Sequence, residues 1–372
     1  MSLATDSCDS ANMALADQTR SRLPRRPRVL PGLAVLRRGN HDVQVGTDTR
    51  HAVVVGGLTP ALLGLLSSLK GELTVPELLD EVGTDESTRE VALNLLVQLA
   101  EAGLLDHASP DDGAAVSSAA RLSADATIWA LRTGARRGHM STARRQATVI
   151  VHGSGRLGVA ISTLLAAAGV GWVHIVAEGE VLAEDTGTGY LDSDVGRSRQ
   201  VAATEAVHRS VSGVRTMAPP PALRPDLVVL ADTIVPCPSV VAPLQAEHTP
   251  HLVVRMREGT GVVGPLVLPG RTCCLHCVDL HRADLDPAWP AVAVQLVGRP
   301  QPADLAGAHM TAGFGAAQTM LALDWLLTGV GQPLLWNASI EVDAVRGTMV
   351  HRQWSPHPDC RCGAVAAEEV NV

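Results

Sequence analysis

The stretch Thr148-Val-Ile-Val-His-Gly-Ser-Gly-Arg-Leu-Gly158 constrains this chain more than any other. Strand-favouring residues lead into a turn with glycines at 153, 155 and 158, and a helical spacing of Leu157, Ile161, Leu164, Leu165 and Ala168 leaves it. Strand, tight turn and helix in that order open a nucleotide-binding βαβ unit, in which N–H groups at the helix N-terminus face a phosphate. A glycine-rich β-to-α turn also occurs with no ligand, so the pattern fixes the local fold before it fixes any chemistry.

The alternation continues. Gly171 to Ala177 reads as a second parallel strand ending in Glu178-Gly179-Glu180, followed by a helix from Gln200 to Ser210 and a strand from Leu227 to Ala231. This is an α/β pattern whose sheet is parallel in its first half. Gly153, Gly155, Gly158, Glu178 and Glu180 are the candidate cofactor-binding residues. Glu178 also lies about 20 residues past the glycine turn, the spacing of a ribose-binding acid in NAD proteins, so a dinucleotide reading stays open. Further strands are expected at Leu252 to Met256 and Gly261 to Leu268, a long buried helix at Thr311 to Leu327, and paired strands at Leu334 to Val342 and Val345 to Trp354.

A length of 372 residues suits two domains better than one, and with six Trp, one Tyr and one Phe the core must be built from Leu, Val and Ala. The net charge of −8 argues against nucleic acid as a partner, because phosphate neutralisation needs a clustered basic surface. Arg20, Arg22, Arg25, Arg26, Arg28, Arg37 and Arg38 crowd the start, where prolines make residues 1–24 a solvated arm, with an anionic contact as the second reading. No apolar run reaches the roughly 18 residues of a membrane span, and the N-terminus has no signal-type apolar stretch, so a cytoplasmic chain is expected.

Residues 25–107 carry their own pattern. Leu33 to Arg37, His41 to Val45 and His51 to Val55 are short strands; Thr59-Pro60 and Thr74-Val-Pro-Glu77 are helix starts; a third helix runs from about Glu86 to Ala102. Three strands followed by three helices make a small winged-helix-like α+β module. Glu86, Glu90 and Glu101 on the third helix, against Arg89 alone, have the wrong sign for a reader of the DNA major groove. Residues 108–145 shift to Ser, Ala, Asp and Gly and are expected to be a linker, with Trp129 to Leu131 as a short docking segment.

The most specific signal lies late. Cys274-Leu-His-Cys277 is a C-x-x-C knuckle, and Cys360-Arg-Cys362 follows far along the chain, in His357-Pro-Asp-Cys-Arg-Cys-Gly363. Two close thiolate pairs can meet as a tetrahedral zinc site, with Cys274, Cys277, Cys360 and Cys362 as ligands. The tight C-x-C spacing leaves His357, His276 or Cys273 as substitutes, and seven cysteines in a reducing compartment argue against a disulfide framework. Asp279, His281, Asp284 and Asp286 read as a solvated helix face, and Cys237 as a buried small residue.

The glycine turn, the strand to Ala177, Gly261-Val-Val-Gly264, Pro269 to Cys277, the long helix and the terminal His-Pro-x-Cys together resemble the ThiF family, the adenylyltransferases related to ubiquitin-activating enzymes. The implied fold over 146–363 is Rossmann-like, with a mostly parallel sheet and a C-terminal zinc-knuckle closure; 364–372 is a tail. The first module resembles the PqqD-like peptide-recognition element, in which a leader peptide adds as a strand to the sheet edge and packs along the third helix. Joined, the two resemble actinobacterial leader-peptide-binding, or cyclodehydratase, components of thiazole/oxazole-modified peptide biosynthesis. That resemblance implies a leader peptide and a YcaO-type or other modifying enzyme as partners, and a homodimer.

ThiF-family chemistry is ATP- and magnesium-dependent adenylation of a carboxyl terminus. It implies an acidic pair on the second strand, an Asn-x-x-Arg-Gln segment, a lysine and a later aspartate. In register from Gly153, this sequence has Ala177 and Gly179 at the acidic pair, with Glu178 and Glu180 each one residue away and, on extended backbone, on the other face. Asp185 stands at the asparagine, Thr188 and Gly189 at the arginine and glutamine, and Arg199 at the lysine; Asp232 approximates the aspartate. Adenylyl transfer depends on such charge-stabilising groups. The expectation is a ThiF-fold scaffold with an eroded nucleotide site. An active adenylyltransferase with Arg199 and Asp232 as displaced catalytic residues is the alternative.

Overall fold

The computed structural model describes residues 23–107, 121–134 and 137–365, and the chain divides into two compact units, 1–140 and 141–372. Most of the expected arm (with Arg20, Arg22 and Cys8), residues 108–120 and most of the expected tail lie outside the described residues.

In the first unit, β1 (Pro27–Val29) pairs antiparallel with β5 (Leu105–His107), while β2 (Val35–Arg37), β3 (Val43–Val45) and β4 (Val53–Val55) form an antiparallel sheet in chain order. Val43 and Val45 point into a leucine core and Gln44 between them does not, the period-2 signature of a half-buried strand. Helices α1 (Pro60–Ser68), α2 (Val75–Val82) and α3 (Glu86–Glu101) supply Leu62, Leu65, Leu66, Leu78, Leu96 and Leu99 to that core. Their starts are the expected ones. Thr59 accepts from the Leu62 N–H, Thr74 and Glu77 form a reciprocal capping box, and Asp85 accepts from the Thr88 N–H. Val35 and Leu36 on β2, Val54 on β4 and Val91 on α3 stay exposed.

The segment expected as a linker differs. Helix α4 (Ser123–Thr133) buries Trp129 and lays Leu131 on the leucine core, and Thr127 donates to the Pro31 carbonyl at 2.8 Å. Alanine-rich sequence is as compatible with helix as with linker, and contacts with Pro31 and the core decide between them.

Helix α5 (Arg137–Gln146), across which the division between the units falls, leads into β6 (Thr148–His152), α6 (Arg156–Ala167), β7 (Trp172–Val176), α7 (Arg199–Ser210), β8 (Leu227–Ala231), α8 (Pro238–Ala246) and β9 (His251–Arg257) of the second unit. Then come β10 (Thr260–Val267), α9 (Leu275–Leu285), α10 (Trp289–Leu296), α11 (Leu305–Thr328), β11 (Ala338–Asp343) and β12 (Thr348–Gln353). The sheet order is β12-β11-β10-β9-β8-β6-β7. β7, β6, β8 and β9 pair in parallel and the last three pairings are antiparallel, so most strands share one direction. One face packs Val149, Val151, Leu252 and Val254 against Leu157, Ile161 and Leu165 of α6 and Ala312, Met320 and Leu323 of α11. The opposite face packs Val228, Leu230 and Val253 against α8.

A buried ion pair ties α5 to α11. Arg144 donates from Nε and Nη2 to the two oxygens of Asp324 at 2.7 and 2.6 Å, and from Nη1 to the Ala168 carbonyl at 3.2 Å. No helix among the described residues is long and apolar enough to cross a membrane.

Candidate functional site

β6 lies between β7 and β8, so the chain turns to opposite sides of the sheet beyond β6. Such a reversal opens a crevice at the strand C-termini, where ligands of open α/β sheets bind. A cavity of about 580 Å³ lies there, lined by Gly153 to Arg156, Glu178, Asp185, Arg199, Ala231 to Thr233, Cys237, Gly298 and Pro300 to Ala303.

The glycine turn forms as expected, but three of the N–H groups at the turn and helix start already have an acceptor. Asp232, just past β8, takes the N–H of Gly155 at 2.9 Å, of Leu157 at 3.0 Å and of Gly158 at 3.0 Å. Burial pushes its carboxyl up from the usual range, against these three N–H groups, which hold it down. Glycine is required around it. A Cβ at Gly153, Gly155 or Gly158 would lie 2.7, 3.0 or 2.9 Å from an Asp232 oxygen, and one at Gly158 only 2.5 Å from the Gly153 carbonyl oxygen.

The basic side chains around the cavity are engaged too. Arg199 donates to Asp185 from Nη2 at 2.6 Å and from Nε at 3.1 Å, and to the Glu178 carbonyl at 3.3 Å. Arg156 donates to the Thr186 and Ala303 carbonyls at 3.1 and 2.6 Å. Thr188 donates to the Arg156 carbonyl at 2.9 Å, and the buried Tyr190 to the Ser154 carbonyl at 3.3 Å.

Glu178 needs a correction. The pleat argument, which turned it to the other face, requires a continuous strand, whereas β7 ends at Val176 and Gly179 adopts φ +82°. Glu178 lines the cavity, its N–H donating to Ser154 Oγ at 2.9 Å. Glu180 is exposed, bridges to Ser198 and does not line the cavity. Cys237 is half-buried at the cavity wall, not fully buried as expected. Arg156, Tyr190 and the wall made by Gly298 and Pro300 to Ala303 were missed. Only the position of Arg156 inside the glycine turn could have signalled its role.

The cysteines meet as the spacing predicts. Sγ atoms of Cys274 and Cys277 are 3.8 Å apart, those of Cys274 and Cys360 3.6 Å, and those of Cys277 and Cys362 3.6 Å; all four lie within 4.8 Å of one another. A tetrahedral site with metal–sulfur bonds of about 2.3 Å has edges of about 3.8 Å, so the cluster could hold a metal ion. Burial pushes the Cys274 thiol up, a penalty that a bound cation reverses. The substitutes are not drawn in. His276 is exposed, the Cys273 N–H donates to Asn337 Oδ1 at 2.7 Å, and His357 Nε2 faces Asp284 at 2.9 Å. His281, Asp284 and His357 thus fasten the segment after β12 to α9, so this part of the helix face, expected to be solvated, has a partner.

Solved structures share this architecture. The chain is 15% identical to E. coli MccB with AMPCPP and MccA (TM-score 0.69, covering 91% of this chain and 99% of that one), and likewise to microcin C7 biosynthetic enzyme MccB with N-formylated MccA (TM-score 0.67). It is 16% identical to PaaA (TM-score 0.61, covering 86% of this chain and 98% of that one). These likenesses show the fold. No curated protein matches the sequence. Residues 136–363, which hold the glycine turn, the cavity and all four clustered cysteines, match the ThiF family, and the chain belongs to that family.

Proposed function

We propose that this ThiF-family chain is a leader-peptide-binding scaffold in the modification of a ribosomally made precursor peptide, with a nucleotide site that no longer adenylates efficiently. One observation carries the reading: the cavity's cationic side chains, which would meet phosphate charge, are committed to Asp185 and to backbone carbonyls. Thr188 and Gly189 replace the family's arginine and glutamine, so charge developing on a transferring group finds little support.

In this reading residues 25–107 recognise the peptide as an added strand at one edge of β2-β3-β4, and Leu36 on β2, Val54 on β4 and Val91 on α3 are the exposed apolar side chains on offer. Residues 146–363 dock a YcaO-type or other modifying enzyme in the cytoplasm, as a homodimer. Cys274, Cys277, Cys360 and Cys362 hold a structural zinc ion that closes the C-terminal segment onto α9; the edges of the thiol cluster and its burial support this. MccB, solved with MccA, supports a peptide as the class of partner.

The test is binding of leader peptides encoded beside the gene, to wild type and to Val35→Pro and Val54→Pro, each of which removes an N–H that faces outward from one sheet edge. One variant should weaken binding at least tenfold; no binding by wild type, or none lost in either variant, refutes the recognition role. A second reading, an active adenylyltransferase acting on a peptide carboxyl terminus, draws on Glu178, Arg199 and Asp232 sharing one cavity. MccB structures holding ATP or AMPCPP favour testing it. Peptide-dependent ATP–pyrophosphate exchange would establish it.

A further inference from the structure

A helix N-terminus behind a glycine turn is a ready anion site, and this one already contains a carboxyl group of the chain's own. Asp232 lies 74 to 77 positions from the three N–H groups that it accepts. It holds φ +69°, a conformation that a non-glycine residue adopts only when its surroundings fix it. The fixing contacts are visible: its N–H donates to the Val254 carbonyl of β9 at 3.2 Å, and its carboxylate bonds the turn. All three signature glycines crowd Asp232, which adds to the backbone clash that requires glycine at 158. Glu178 and Glu184 line the same cavity and add like charge against an incoming phosphate, while Asp185 there is paired with Arg199.

We propose that Asp232 is a built-in occupant of the phosphate cradle, so that the cavity takes its ligand by a nucleoside-like portion and gains nothing from a phosphate at the turn. The proposal deepens the reading of an eroded nucleotide site and does not depend on peptide binding.

Two measurements on the full chain test it: calorimetric affinity for adenosine and for magnesium–ATP, and thermal melting in inorganic phosphate against chloride at matched ionic strength. Wild type should bind adenosine and ATP within about threefold of each other, and phosphate should not raise its melting point above chloride. Asp232→Ala should melt lower and be rescued specifically by phosphate. It should also prefer ATP over adenosine by about tenfold, the gain expected from hydrogen bonds to a charged group. Asp232→Asn, which keeps the shape and removes the charge, should raise the ATP-to-adenosine ratio at least threefold even if the alanine variant does not fold.

A wild type that prefers ATP tenfold, with the preference lost in both variants, overturns the proposal and makes Asp232 a servant of the nucleotide. A folded alanine variant without phosphate rescue overturns it as well. If no variant binds a nucleoside but phosphate rescues the alanine variant, the occupied cradle stands and the nucleotide-type reading of the cavity falls.

Discussion

Removing the carboxylate of Asp324 should expose how much of the second unit hangs on one buried contact. The side chains of Arg144 and Asp324 are 7% and 3% exposed and joined by two short, parallel hydrogen bonds. In Asp324→Ala the guanidinium keeps only the Ala168 carbonyl, and an uncompensated buried charge typically costs about 3–5 kcal/mol. For a unit the size of 141–372, each kcal/mol lowers the melting point by about 2–4 °C, so a fall on the order of 10 °C is expected in a thermal scan. Urea titration should give the same loss at unchanged slope. The double variant Arg144→Met/Asp324→Leu removes both charges and should return to within about 2 kcal/mol of wild type, because desolvating the pair offsets most of its attraction. A single variant that loses under 1 kcal/mol, or a double variant no more stable than the single, would refute this reasoning.

Cys362→Ser should lower bound zinc from one equivalent per chain to well below one, measured by atomic emission, and destabilise the segment after β12; full retention would exclude the four-thiol site. Gly158→Ala should cost at least about 2 kcal/mol in urea denaturation, since its Cβ meets backbone at Gly153 that cannot swing away. Gly64→Ala, on helix α1 with open space around it, should be neutral or slightly stabilising in the same assay. His251 is fully buried, its Nδ1 bonds the Thr249 carbonyl and its Nε2 has no partner among the described residues, so burial holds its pKa below the ordinary value. With the folded value below the unfolded one near 6.5, its stabilisation is complete above about pH 6.5 and is lost as pH falls toward the folded value. Wild type should therefore lose more melting temperature between pH 7.5 and 5.5 than His251→Asn, and equal losses would contradict this.

What was legible in the sequence was local. Thr59, Thr74 with Glu77, and the glycine turn each act within a few residues, so caps, helices and the β6–α6 unit followed from spacing alone. The thiol pairs were legible because cysteines so closely spaced have few uses besides meeting a second pair. Contacts across many residues were not legible. β1 and β5 pair from opposite ends of the first module, with no turn between them to announce it. Nothing in Asp232-Thr233 foretells that its carboxylate will fill a turn built near residue 155, nor in Arg199 that Asp185 will hold it. The misplacement of Glu178 had a single cause, the assumption that a pleat continues past Val176, where Gly179 ends it.

The cysteine clasp also imposes an order in time. Cys274 and Cys277 leave the ribosome well before Cys360 and Cys362, and the chain made in between includes α11, β11 and β12. Until the second pair arrives, the first is an exposed dithiol, reactive toward oxidants and able to bind metal in the wrong company. The clasp is therefore the last contact of the sheet extension to become available, and a nascent chain stalled within α11 would be the species most open to oxidation and misassembly.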